Sequence, residues 1–184
     1  LAPFNVYAEI VTAQRFFPDW LGWSMLGGVM VVGLYAVAIA LDEAGLGYEP
    51  VFVNFREAEQ TKPAYLALNP KGRVPTLETG GHLLTETGAI LDYIAAIAPE
   101  ANLVPGDPLE AAHVRSVMYY LASTMHVNHA HRLRGSRWAD RPESHADMTA
   151  KVPETMAQSA RYVEQSCLRG DFVLGGKFTI ADPY

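Results

Sequence analysis

From Trp20 to Leu41 the chain runs 22 residues without a charged side chain. About 20 apolar residues suffice to cross a bilayer, so this run belongs in a membrane or in a protein interior. Its glycines argue for the interior. Gly22, Gly27, Gly28 and Gly33 interrupt it, and β-branched residues gather between Val29 and Val32. A buried strand at Val29–Val32, a glycine turn and the start of a buried helix account for the run. Composition agrees with a packed interior: 49% of residues are hydrophobic and 18% charged, which excludes general disorder. A membrane-anchored variant using residues 20–41 is the competing reading.

At 184 residues the chain makes one domain or two small ones. The net charge of −6 argues against nucleic acid as a partner, because neutralising phosphates needs a clustered basic surface. The densest basic group, Arg132, Arg134, Arg137 and Arg141, reads as a loop that ends a helix. Cys167 is the only cysteine. An intramolecular disulfide is therefore excluded, and a reducing, cytoplasmic setting is expected. In "RYVEQSCLRG" this cysteine reads as a small core residue rather than a nucleophile. The N-terminus lacks a basic n-region followed by a small-residue cleavage site, so it does not read as a signal peptide.

Residues 1–28 show aromatics and a Pro18-Asp19 turn signal but no sustained period. After the expected strand at Val29, "AVAIALDEAG" predicts a helix capped by Gly45. "YEPVFVNF" alternates like a strand, which Pro50 pushes to a sheet edge. "EAEQTKPAYLALNP" reads as a short helical or irregular connection. "VPTLET", Gly80-Gly81 and "HLLTE" predict a hairpin. "TGAILDYIAAIA" predicts a helix with Ile90, Tyr93, Ile94 and Ile97 on its apolar face, ending before Pro99. This order makes a mixed sheet with helices packed on it. The expected organisation is thus residues 1–28 unassigned, 29–98 an α/β unit, 99–108 a linker and 109–184 an all-helical unit. In the last, Val114, Val117, Met118, Leu121 and Met125 fall at helical spacing, and Asp147–Leu168 is helical around Pro153.

Three places carry candidate chemistry. A cis bond at Val74-Pro75 would free the Val74 backbone for an extended peptide, as in strand addition; an ordinary trans proline at an edge is the plainer reading. Glu86-Thr87 opens a helix. Its first-turn N–H groups and a Thr87 cap suit a carboxylate, and Glu86 suits an ammonium, so the pair fits an α-amino-acid end or serves as a plain cap. Thr179 and Asp182 in "FTIAD" form a capping box with a structural role. His126 and His129 share a helix face, but nothing at close spacing completes a ligand set, so no metal is expected.

Taken in order, "LNPKGRVPTLE", "LLTETGAILDYIA", "YYLASTMHVNHAHRLRGSRWAD" and "FTIADPY" resemble a cytosolic glutathione transferase of a bacterial kind, from about Ala36 to Tyr184. The resemblance implies an α/β thioredoxin-like N-terminal domain, with a mixed sheet and flanking helices, followed by an all-α C-terminal domain. It implies glutathione as substrate, no metal, a homodimer and attack of the thiolate on a small electrophile. By the same resemblance Val74-Pro75 is cis and pairs with the cysteinyl backbone, Glu86 and Thr87 hold the γ-glutamyl end, and Lys71 lies near the glycyl carboxylate. The resemblance also implies that His126 faces the thiol and the electrophile site; a helix-surface histidine is the other reading. Against that family, residues 1–28 match nothing: they are an extension, or a misassigned start that displaced the true first strand, and the chain stops inside the helix that "FTIAD" opens.

The thiol needs activation from a pKa near ~8.5, which one or two hydrogen bonds to the thiolate can supply. The family takes that donor from the loop between first strand and first helix. Aligning "AVAIALDEAG" with the first helix puts Gly33 and Leu34 there, with the Tyr35 hydroxyl one position on; a Tyr35 facing the core is the other reading. A weak donor loop makes a non-catalytic glutathione-binding or interaction module the rival to an enzyme.

Overall fold

The computed structural model describes Phe4–Ala8 and residues 28–184, with side chains from Tyr35 onward. The chain divides into two compact units. One runs to Val104 and takes in Pro183–Tyr184; the other is Pro105–Asp182.

The first unit is built on four strands, β1 (Phe4–Ala8), β2 (Tyr48–Phe52), β3 (Thr76–Thr79) and β4 (His82–Thr85), in the order β2-β1-β3-β4. β1 is parallel to β2 and antiparallel to β3, so it is an inner strand. It lies in the stretch that carries no sustained period. The strand expected at Val29–Val32 does not form there. Those residues belong to helix α1 (Gly28–Glu43), part of the crossover that a parallel β1–β2 pair requires. Four apolar residues in a row fit a buried helix as well as a buried strand, and only the pairing decides. "FNVYA" contains the Phe, Val and Tyr that suit a pleated surface, and partners on both sides compensate for its shortness.

α1 stops where Gly45 was expected to cap it. Gly45 has φ +65, its N–H donates to the Asp42 carbonyl (3.0 Å), and the Leu46 N–H reaches back to Leu41 (2.9 Å), as in a Schellman motif. Within the charge-free run, Gly28–Leu41 is therefore helical, and Trp20–Gly27 lies outside the described residues. No helix among the described residues is long and apolar enough to cross a membrane. β2 carries Pro50 at the sheet edge, where its missing N–H leaves no ladder bond unmade.

Two short 3-10 turns lead to α2 (Pro63–Leu68) and then to the loop before β3. The β3–β4 hairpin turns at Gly80 (φ +54) and Gly81 (φ +78), the two positive values a two-residue turn demands. Helix α3 (Thr87–Ile97) follows and packs on α1. Val37 and Leu41 from α1, Leu77 from β3, and Ile90, Leu91 and Ile94 from α3 are fully buried. Each such side chain contributes about 1.5–3 kcal/mol relative to exposure. Leu91 takes the core position expected of Ile97, which is exposed at the helix end.

The second unit is helical: α4 (Pro108–Tyr120), a π-helical turn at Leu121–Met125, α5 (His126–Arg134), α6 (Pro142–Tyr162) and a second π turn at Val163–Cys167. Asp107 caps α4 by accepting from the Leu109 (3.0 Å) and Glu110 (2.9 Å) N–H groups. Val114, Val117 and Met118 are buried as their spacing predicts, whereas Leu121 and Met125 fall in the π turn and are half-buried. Each extra residue in that turn rotates the helix face, which periodicity alone does not foresee. Tyr120 and Tyr162, the residues preceding the two π turns, meet with ring centroids 4.4 Å apart and planes tilted by 49°. α5 packs on α6, and Asn128 Nδ2 donates to the buried Ser159 Oγ at 3.1 Å.

Candidate functional site

The loop between α2 and β3 is held by side chains whose polar ends meet at one carbonyl. The Tyr65 hydroxyl and Asn69 Nδ2 both donate to the Arg73 oxygen, each at 2.7 Å. Both also touch Thr76 Oγ1, at 3.0 and 3.2 Å. Tyr65, Asn69 and Thr76 are buried, and burial raises the Tyr65 pKa, so its phenol stays a donor. Asn69 Oδ1 accepts from the Lys71 N–H (3.1 Å), and its carbonyl from the Gly72 N–H (2.9 Å). The backbone is thus pinned on both sides of Gly72, up to Arg73, the residue before Val74. Sequence reasoning missed these three residues. The available signal was polar side chains in an otherwise apolar strand–helix context, in "YLALNP" and at Thr76.

Gly72 has φ +59, and a Cβ there would lie 2.9 Å from the Gln60 carbonyl oxygen. A backbone oxygen cannot swing aside as a side chain can. Gly72→Ala is therefore expected to destabilise the first unit by about 2–3 kcal/mol, measurable as a lower denaturant midpoint with an unchanged slope.

The Val74-Pro75 bond is cis. Pro75 is buried, Val74 is half-buried, and no hydrogen-bond partner for the Val74 backbone appears among the described residues. Glu86 follows β4 directly and is the N-cap of α3, with φ +73; Thr87 is the first helical residue. This differs from the expectation that Thr87 is the cap. Glu86 offers no side-chain cap bond. Its carboxylate instead pairs with Lys71 Nζ, which also donates to Thr85 Oγ1 at 2.7 Å. Lys71 and Glu86, fifteen residues apart, are thus brought together at the start of α3. Tyr184 belongs to the same unit, and its phenol pKa is raised by burial and by the Glu86 charge.

The other candidates fall elsewhere. Tyr35 is neither in the loop between first strand and first helix nor turned into the core. It lies inside α1 and is 45% exposed. The loop joining β1 to α1 lies outside the described residues, because β1 is Phe4–Ala8 rather than Val29–Val32. His126 is the first residue of α5 in the second unit. Of the neighbouring histidines, His131 meets the Trp138 ring edge-on at 4.6 Å, and burial followed by the Arg132 and Arg134 charges lowers the His129 pKa. Among the described residues no group of three His, Cys, Asp or Glu is placed to hold a metal. Cys167 is buried, and burial raises its thiol pKa, as suits a core residue.

The glutathione S-transferase N-terminal domain family matches residues 24–96. A glutathione transferase homolog from Sulfitobacter, solved with bound glutathione, aligns at TM-score 0.86 and 55% identity, covering 100% of this chain and 79% of that one. A glutathione S-transferase from Xylella fastidiosa, 22% identical, shares the fold at TM-score 0.76, covering 98% of this chain and 78% of that one. Among curated proteins, a maleylacetoacetate isomerase of Pseudomonas aeruginosa is 41% identical over 98 residues, which are 52% of this chain and 46% of that protein. The chain spans less than half the length of the first three curated relatives it matches. A thioredoxin-like unit ahead of an all-helical one, and 55% identity running the length of this chain, identify it as a member of the cytosolic glutathione transferase superfamily.

Proposed function

We propose that the first unit binds glutathione in an extended form along the Val74-Pro75 edge and that the protein presents its thiolate to a small electrophile. The Val74 N–H and C=O pair with the cysteinyl backbone. Glu86 takes the α-ammonium of the γ-glutamyl group. The first turn of α3, including the Thr87 hydroxyl, takes its α-carboxylate through free N–H groups and positive partial charge. Pro75, buried at the head of β3, anchors this edge. Catalysis would then rest on orientation and on thiolate stabilisation, without a metal. The same nucleophile serves conjugation, or reversible addition to an activated double bond of the kind implied by relatives named maleylacetoacetate isomerase. A homodimer in a reducing, cytoplasmic setting belongs to this reading.

The observation that carries it is the end-to-end similarity to a homolog solved with glutathione. Retention on immobilised glutathione and calorimetric titration test binding, and turnover of a chloronitrobenzene substrate tests transfer. No saturable binding at millimolar glutathione would sink the proposal. The rival reading is a glutathione-binding module without transferase activity. Binding without turnover of any electrophile selects it.

A further inference from the structure

We infer that Lys71 recognises the γ-glutamyl end of glutathione, as the partner of its α-carboxylate, and not the glycyl end. The inference rests on the glutathione reading above and assigns within it a residue that the sequence resemblance puts elsewhere. Two features of the first unit support it. The Lys71 backbone is fixed by Asn69, whose Oδ1 accepts its N–H at 3.1 Å. From that anchor the side chain crosses to the start of α3, where Nζ meets Thr85 Oγ1 at 2.7 Å and pairs with the Glu86 carboxylate. The cation therefore sits beside the carboxylate proposed to take the α-ammonium, at the helix end proposed to take the α-carboxylate.

A zwitterionic amino-acid head carries one charge of each sign on the two groups attached to a single carbon. A lysine–glutamate pair is its mirror image. The head can insert with its ammonium on Glu86 and its carboxylate on Lys71, giving a ring of four alternating charges. Opening the existing pair costs little, because both side chains are substantially exposed, at 42% and 66%, and such pairs are weak in water. In the unliganded protein the same pair keeps each charge satisfied. One ammonium cannot serve both ends of the ligand: three extended residues span about 10 Å.

The test uses the whole chain and three ligands. These are glutathione, its glycyl monoethyl ester, and 4-aminobutyryl-cysteinyl-glycine, which lacks only the α-carboxylate. Lys71→Met is expected to weaken glutathione and the ester equally, by about tenfold, the low end for a hydrogen bond to a charged group. It should leave the aminobutyryl analogue unaffected. Lys71→Arg should restore most of the affinity. A loss seen with glutathione but absent with the ester places Lys71 at the glycyl end and overturns the inference. So does an equal loss with all three ligands, or no loss at all. If the parent protein binds none of the three, the glutathione reading itself fails, a result distinct from any of these.

Discussion

Asp182→Ala is expected to destabilise the second unit by about 3–5 kcal/mol. The Asp182 carboxylate accepts three hydrogen bonds: from the Val173 N–H (2.8 Å), the Thr179 N–H (2.6 Å) and the Thr179 hydroxyl (2.7 Å). Its surroundings are dry: Val173, Thr179, Ile180 and Ala181 are all buried. Bonds to a charged acceptor are the stronger kind. Removing the acceptor leaves two backbone donors without a partner in the interior, which costs more than the bonds themselves gained. Asp182→Asn keeps an acceptor oxygen and should lose roughly half as much. Urea denaturation followed by circular dichroism reads the difference. A loss below about 1 kcal/mol for the alanine variant would show that the box is ornamental to stability.

Glu86 permits a sharper separation of binding from folding. Glu86→Ala and Glu86→Gly both delete the carboxylate, so both should weaken glutathione by about 10–100-fold, the range for losing one hydrogen bond to a charged group. Their stabilities should differ. Glu86 holds φ +73, a conformation that costs any residue with a Cβ. Alanine keeps that cost and glycine does not. Glu86→Gly should therefore be more stable than Glu86→Ala by about 1 kcal/mol, while binding equally poorly. Paired thermal melts and titrations check this. Unchanged affinity in both variants would remove Glu86 from the site.

The pattern of hits and misses has a common cause. Gly80-Gly81, Pro50, Gly45 and the Thr179–Asp182 box were readable because each acts within a few residues. A turn needs positive φ, an edge tolerates a missing N–H, a helix end needs a left-handed residue, and a cap needs an acceptor three residues on. Glu86-Thr87 was readable as a helix opening, though the expected cap, Thr87, lies one residue after the actual one, Glu86. The expected strand at Val29–Val32 failed because its four apolar residues are ambiguous without knowledge of partners. "FNVYA" went unrecognised because five residues are too few to show a period. The misplaced strand carried Tyr35 with it. Once β1 lies at Phe4–Ala8, the donor loop moves upstream of α1, and Tyr35 becomes an exposed helix residue.

By itself the sequence determined the order of turns, caps and helices from α1 onward, the hairpin that leads into α3, and a resemblance specific enough to name a superfamily. Only the tertiary structure decided which segment became the inner strand, where Lys71 ends up relative to Glu86, and that Tyr65, Asn69 and Thr76 converge on one carbonyl. The physical reason is range. Backbone sterics and capping bonds act over three or four residues and leave their mark in local composition. Strand pairing and side-chain convergence join positions that are far apart along the chain, and no short window of residues records them.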